Sequence, residues 1–450
     1  MAKKTNVLII CAPIKSHLIP SFYLSRKLSK ECNVRYLINE SSLETLVSNN
    51  GFEYIYSPAF MNSGDQSSEI FGKRNKSFIY RISRLIKRSF LKKQVSIIED
   101  IFLEYPAEVI LIDVFMSFSV LPIKLCSSKT RCIYINPMMS TYVVPGYPSV
   151  SEGFWDKDVR HSSVEISKQS NNGFILTNFI EEKVKYFYNR ALLNSLGLRQ
   201  VRDTLHTTLY EDIDEIILAP EKFELTTQIV NKRQFYLGLC VDVAREEQSI
   251  DSSFHQKFEE VVSRKDNLGK SLVYCSFGTF YDGSFSRLLR FVQVLIEAVR
   301  TLDHIELVLS INKLIMETVD YQIVVPANVT CFERVPQLVV LQHMDLFITH
   351  GGLGSVKESI YYHVPMLVYP LDLRYDQNGN GLKVTHHGLG ERGVLETESS
   401  IQLREKIIKV LSDKRYFTNV QEFSLSTESQ SSIDSIIDKV ILENNERVGS

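Results

Sequence analysis

DLFITHGGLGSVKES, residues 345–359, changes character in its middle: a short apolar run, DLFI, gives way to one histidine and three glycines, then to residues able to open a helix. A strand that hands over to a helix through glycines lets backbone amides approach an anion, and the helix dipole favours that charge. On this reading His350 ends the strand, Gly351 to Gly354 make the turn, Ser355 sits at the helix N-terminus and Glu358 lies in the first helical turn. Ser355 and Glu358 also have the spacing of a capping box, which would satisfy the helix's own donors. These residues alone leave both uses open.

The strand–turn–helix unit recurs along the chain. NVLIICAPI (6–14) is a continuous apolar run, followed by KSH and by PSFYLSRKLSKE (20–31), where Phe22, Leu24 and Leu28 recur at helical spacing behind a proline suited to a first turn. EVILIDVFMS (108–117), RCIYINP (131–137) and EIILAP (215–220) read as further buried parallel strands. A second series runs through SLVYCSFGTF (271–280), IELVLSI (305–311), NVTCFERV (328–335), DLFITH (345–350) and PMLVYP (365–370). The class is therefore α/β, with two doubly wound, Rossmann-like domains facing each other across a cleft. We divide the chain into an N-terminal domain over 1–240, a polar linker over 241–253 (VDVAREEQSIDSS), a C-terminal domain over 254–425, and a serine-rich loop with a terminal helix over 426–450.

Composition narrows the function class. The 450 residues are 44% hydrophobic and 23% charged, with a formal net charge of -2, which fits a globular protein and gives no nucleic-acid footprint. Seven cysteines are scattered without a CxxC pair, as buried thiols in a reducing cytoplasm would be. The N-terminus imitates a signal peptide, but Lys15 and His17 interrupt its apolar run and no small-residue cleavage site follows. No segment reaches the length of a membrane span.

Two other loops follow strands and carry polar groups. YPLDLRYDQNGNG (369–381) offers a carboxylate and amides suited to sugar hydroxyls, or simply an Asx and glycine turn. SFGTF (276–280) places Gly278 and Thr279 where a hydroxyl and amides can meet a phosphate.

Taken together, FERVPQLVVLQHMDLFITHGGLGSVKESIYYHVPMLVYPLDLRYDQNGN (332–380) resembles the donor-binding signature of family 1 glycosyltransferases, the nucleotide-sugar-dependent group that includes bacterial macrolide and natural-product enzymes. Pro336-Gln337, His350-Gly351-Gly352, Ser355, Glu358, Pro365 and Asp376-Gln377 stand in the family's order and near its spacing. The resemblance implies the two-domain GT-B fold, with the acceptor bound by the N-terminal domain and the nucleotide sugar by the C-terminal one. It implies that Gln337 contacts the base, Glu358 the ribose, and His350, Gly352, Ser355 and Thr279 the phosphates. Asp376 and Gln377 would hold the sugar. APIKSHLIPSFYLSRKL is similar to the family's first strand and helix, so the resemblance places a general base at His17 and its carboxylate partner at Asp113 within VILIDVF. The implied reaction is an inverting, metal-independent transfer of a hexose, from a UDP-sugar before other nucleotide sugars, to a hydroxyl of a lipophilic small molecule.

Several positions depart from the family pattern. Arg334 stands where many members have a tryptophan that stacks on the base, and a guanidinium can stack there too. Ser16 and His363 replace glycines, and the loop leading to Asp376 is longer than in many members. The one DxD, Asp212-Ile213-Asp214, precedes a strand and reads as a solvated acidic turn; no HExxH or GxxxxGK[ST] occurs. No cofactor or metal is expected. Between Lys73 and Lys93 there are nine Lys or Arg and no acid, interleaved with apolar residues at helical spacing. That helix can lie on an anionic membrane, or pack its apolar stripe on the domain with its charges in water. NPMMSTYVVPGYP (136–148) offers Met138, Met139 and Tyr142 as an acceptor wall, or as a loop that seals the domain. Two rivals share the fold: a nucleotide-sugar epimerase, and a non-catalytic nucleotide-binding partner of another enzyme. The expected location is cytoplasmic, with peripheral membrane contact only through the basic helix.

Overall fold

The computed structural model describes residues 4–61, 89–155, 190–201, 203–226, 231–247, 253–278, 285–312, 315, 317, 324–430 and 433–442. The first sheet has seven strands: β1 (Thr5–Ile10), β2 (Cys32–Ile38), β3 (Glu53–Tyr56), β4 (Val109–Asp113), β5 (Arg131–Asn136), β6 (Glu215–Ile217) and β7 (Gln234–Tyr236). Its order is β3-β2-β1-β4-β5-β6-β7. The second sheet contains β8 (Ser271–Ser276), β9 (Ile305–Ser310), β10 (Val329–Phe332), β11 (Leu346–Thr349), β12 (Met366–Val368) and β13 (Gly390–Arg392), in the order β10-β9-β8-β11-β12-β13.

Every pairing is parallel. Parallel strands need helices on both faces, which is why β1, β4, β8 and β11 are nearly continuous apolar runs with no exposed alternate. Each sheet winds outward in both directions from a central pair, β1 and β4 in one and β8 and β11 in the other. Crevices open beyond the carboxyl ends of strands at such switch points. Here the first leads to His17 and Asp113, the second to Gly278 and His350.

One hydrophobic cluster joins the two halves: Met139, Ile217, Phe223 and Leu239 of the first pack with Phe254, Val335, Leu353 and Val356 of the second. Polar links reinforce it. The buried Lys357 amine donates to the Leu218 carbonyl, Asn378 Nδ2 donates to the Ser151 carbonyl at 3.1 Å, and Arg392 donates to the Gly153 carbonyl at 2.7 Å.

The structure corrects several sequence expectations. The first helix spans Lys15–Leu28 and carries Pro20 inside it, so His17 is already in its first turn. The apolar run after β4 does not continue as a strand: Asp113 accepts a hydrogen bond from the Phe115 amide and turns the chain into a 3-10 helix, Val114–Ser119. Residues 424–430 are no loop but the end of the helix Lys414–Gln430, where Ser424 and Thr427 bond back to the preceding turn or are enclosed. After it Ile437, Val440 and Ile441 return to the core of the first domain. β2, β3, β7 and β13 escaped the reading because polar residues break their apolar runs.

Of the basic stretch 73–93, residues 73–88 lie outside the described residues. Its end opens the helix Ser89–Glu104, where Phe90 and Leu91 are buried in the first domain's core and Lys92 and Lys93 face solvent. Among the described residues no helix is long and apolar enough to cross a membrane.

Candidate active site

The two strand-end crevices face each other, and each contributes one half of the candidate site. In the first, His17 Nδ1 lies 2.8 Å from Asp113 Oδ2; His17 is 6% exposed and Asp113 fully enclosed. The same carboxylate accepts from two backbone amides, Phe115 at 2.8 Å and Ala12 at 3.3 Å. With Asp113 accepting throughout, the proton between it and the ring belongs on Nδ1. Nε2 is left with its lone pair, the arrangement of a positioned general base.

An aromatic wall adjoins this pair. Phe115 packs against His17 in a tilted arrangement with ring centroids 4.6 Å apart, Tyr375 of the second domain lies 6.5 Å from Phe115, and His206 lies 5.4 Å from Tyr375. His206 holds a left-handed backbone, φ +64. Burial lowers its pKa, while the Asp376 carboxylate opposes that shift.

The second half grows from the glycine turn. Gly351 has φ +84, and a Cβ there would meet Val368 Cγ1 at 2.6 Å. A Cβ on Gly352 would meet His350 Nε2 at 2.6 Å, so this glycine makes the room that the imidazole occupies. The following helix spans Leu353–Tyr361 with Gly352 as its N-cap and no side-chain cap. Its first amides are thus left for an anion. This start also corrects the expected one: Ser355 is the third helical residue and Glu358 lies a turn further in, so no capping box forms between them.

His350 is held neutral. Burial pulls its pKa down to about 4, and Nδ1 has no hydrogen-bond partner among the described residues. His387 is likewise pulled down to about 4, first by burial and then by the neighbouring His386. In the folded chain both stay unprotonated where the unfolded chain takes up protons, between about pH 6.5 and 4. Stability is therefore complete above that window and falls as pH drops through it. Melting temperature followed from pH 7 to 4 should decline, and His387→Asn should flatten the decline; an unchanged profile would reject a buried neutral His387.

Glu358, 6% exposed, uses both carboxylate oxygens. Oε1 accepts from Arg245 Nη1 at 2.5 Å and Oε2 from Gln337 Nε2 at 2.7 Å. Gln337 Nε2 also reaches Ser355 Oγ at 3.1 Å, so its NH₂ group is engaged within the site. Arg334 acts electrostatically on Lys15 of the first domain and on Glu247, which places it at the cleft. Thr279 lies outside the described residues.

Asp376 and Gln377 begin the helix Asp376–His386 instead of sitting on a loop. Asp376 Oδ2 accepts from Asn380 at 3.0 Å. Burial raises the Asp376 pKa, against the pull of that hydrogen bond and of His17 across the cleft. Gln377 Oε1 accepts from the Leu371 and Asp372 amides at 2.9 and 3.0 Å, leaving its NH₂ without a partner among the described residues. A hydroxyl can accept from it.

The proposed acceptor residues diverge. Met139 is fully buried in the cluster shared by the domains and Met138 is 4% exposed, so both are enclosed and neither offers an open face. The half-buried Tyr142 accepts from Asn231 Nδ2 at 2.8 Å. Asp214 is engaged by Arg131 and Arg233, at 3.1 and 3.0 Å, as an acidic turn with arginine partners. Sequence reasoning missed Phe115, His206, Tyr375, Arg245 and Glu247. The run DVF hinted only at Phe115, an aromatic two positions after a strand-end aspartate.

Two doubly wound domains whose switch points open on one cleft define the GT-B fold, and solved proteins of that fold superpose on nearly the whole chain. The spinosyn rhamnosyltransferase SpnG complexed with thymidine diphosphate aligns with a TM-score of 0.61 at 14% identity, over 97% of this chain and 100% of that one. LpCGTa in complex with UDP aligns at 0.60 and 15% identity, over 98% and 99%. More particularly, residues 293–442 match the C-terminal domain of the erythromycin biosynthesis protein CIII-like family. The NDP-glycosyltransferase YjiC of Bacillus subtilis (strain 168) is 27% identical over 208 residues, 46% of this chain and 47% of that protein. The chain spans about half the length, or less, of the curated relatives it matches. These similarities bear out the resemblance to family 1 glycosyltransferases.

Proposed function

We propose that this chain is an inverting glycosyltransferase that moves a hexose from a nucleotide sugar, a UDP-sugar in the first instance, to a hydroxyl of a lipophilic small molecule. The observation that carries this reading is the His17–Asp113 contact at one switch point, electrostatically coupled to Asp376 at the start of a helix in the other domain. The acceptor's O–H proton passes to His17 Nε2 as its oxygen attacks the anomeric carbon. The bond from that carbon to the diphosphate breaks on the opposite face, its electron pair leaving with the phosphate oxygen, so the configuration inverts. Asp113 stabilises the imidazolium that forms. The open amides of Leu353–Tyr361 and the partly buried His350 support the departing charge.

The aromatic wall favours a lipophilic acceptor, because the Phe115 ring lies against the base and the Tyr375 ring beyond it. Phe115→Ala should raise the acceptor KM roughly 10-fold or more, by the loss of one buried ring contact, and leave UDP affinity within about 2-fold. Equal loss of both would move Phe115 out of the acceptor site and into general support.

The test of the reading is turnover of UDP- and dTDP-sugars with a panel of phenols, polyketides and terpenoids in EDTA, with the product's anomeric configuration read by NMR. A β-glycoside from an α-linked donor is expected. Retention of configuration would overturn the inverting mechanism while keeping transfer, and isomerised donor without any acceptor would replace this reading with the epimerase one.

A further inference from the structure

The interdomain linker enters the nucleotide half of the site through one side chain. Arg245 comes from the segment 241–247, which is anchored to the first domain: Arg26 grips Asp242 at 2.8 Å, and the Glu246 amide donates to Asn50 Oδ1 at 3.0 Å. From there the guanidinium crosses to the second domain. Its Nη1 donates to Glu358, while Nη2 and Nε donate to Glu247 Oε1 at 2.6 and 3.0 Å. The side chains of Arg245 and Glu358 are 9% and 8% exposed. A planar, forked cation bridging two carboxylates fixes both in orientation, which a lysine's point charge cannot do.

A carboxylate offers about four acceptor positions, two on each oxygen. Arg245 takes one on Oε1 and Gln337 takes one on Oε2, so one position remains on each oxygen. Two acceptor positions on one rigid carboxylate match the two donors of a ribose 2′,3′-diol. A 2′-deoxyribose leaves one of them unmet beside a buried anion, and unmet buried acceptors are costly.

We propose that Arg245 is a positioning residue that sets Glu358 to read the 2′-hydroxyl, making the site selective for ribonucleoside diphosphates over their 2′-deoxy counterparts. This rests on the reading of the cleft as a nucleotide-sugar site. It adds that the orientation of a carboxylate on the second domain is held from the linker, which is itself anchored to the first domain.

The experiment is calorimetric titration of the full chain, and of its Arg245→Met and Glu247→Gln variants, with UDP and with 2′-deoxy-UDP. The unaltered chain should prefer UDP by about 10-fold or more, the scale of one unmet buried hydrogen-bond partner. Arg245→Met should weaken UDP binding about 10-fold or more and bring the two ligands close to equal affinity. A merely structural role would weaken both ligands equally and keep the preference. Glu247→Gln loosens the anchor without touching Glu358, so it should lower the preference partway and decides the matter if Arg245→Met does not fold. A preference unchanged in the variants, or tighter UDP binding by Arg245→Met, overturns the assignment while leaving the nucleotide site intact. No binding of either ligand by the unaltered chain overturns both the assignment and the reading it rests on.

Discussion

His17→Ala should bind UDP as the unaltered chain does and lose transfer by about 10²- to 10⁴-fold, the usual contribution of a positioned general base. The two effects separate because His17 sits on the first sheet's switch point, while the groups proposed for the nucleotide sit on the second. The ring contacts Asp113 and Phe115 and is 6% exposed, so its loss also leaves a small cavity. His17→Gln therefore belongs beside it: Gln fills more of the space, but its amide is not basic enough to take up the acceptor's proton. Loss of turnover in both variants, with UDP titrations unchanged, assigns the loss to proton transfer. Turnover within about 3-fold of the unaltered chain in either variant is too small for a general base and would remove His17 from the chemistry.

That pair also marks what the sequence could and could not carry. His17 and Asp113 were each readable as polar residues beyond a buried strand, because continuous apolar runs announce parallel strands. Their 2.8 Å contact was not, since it spans 96 positions and exists only because β1 and β4 are neighbours in the sheet. The alternation of strands and helices made the two doubly wound sheets legible, and the glycine turn was visible because glycine is demanded where φ is positive and an imidazole must fit. Boundaries were less legible. Pro20 looked like a helix start, but a turn of helix precedes it, in which the Ile14 carbonyl accepts from the amides of both His17 and Leu18. Ser355-x-x-Glu358 looked like a cap, but the helix begins two residues earlier and spends those side chains on Gln337. Arg245 left no trace at all: a polar linker has no periodicity, and nothing local distinguishes an arginine that crosses between domains from one that faces water.

Glu358→Ala is expected to fail twice, in nucleotide affinity and in stability, and the two losses have different causes. The sequence offered a choice between a ribose ligand, which predicts mainly lost affinity, and a helix cap, which predicts mainly lost stability. The structure removes the cap and puts a buried ion pair in its place. Deleting one member of such a pair strands the other, at about 3–5 kcal/mol. Arg245 keeps Glu247, so the lower end applies, and at roughly 2–4 °C per kcal/mol for domains of this size the melting temperature should fall by about 10 °C. Affinity should fall further in proportion, because a ribose diol held by a carboxylate loses two charge-assisted hydrogen bonds of about 1.5–3 kcal/mol each, or roughly 10²-fold and beyond. Glu358→Gln separates the causes: its carbonyl still accepts from Arg245 and spares much of the stability, yet it presents an amide donor where the diol needs an acceptor. The combined Arg245→Met, Glu358→Leu variant goes further, since replacing a buried ion pair with apolar residues of similar volume commonly restores stability. Recovered melting temperature without recovered UDP binding would tie Glu358 to the nucleotide and not to the fold. UDP affinity of Glu358→Gln within about 3-fold of the unaltered chain, less than one charge-assisted hydrogen bond supplies, would take the carboxylate out of the ribose site and leave it as a clasp between linker and helix.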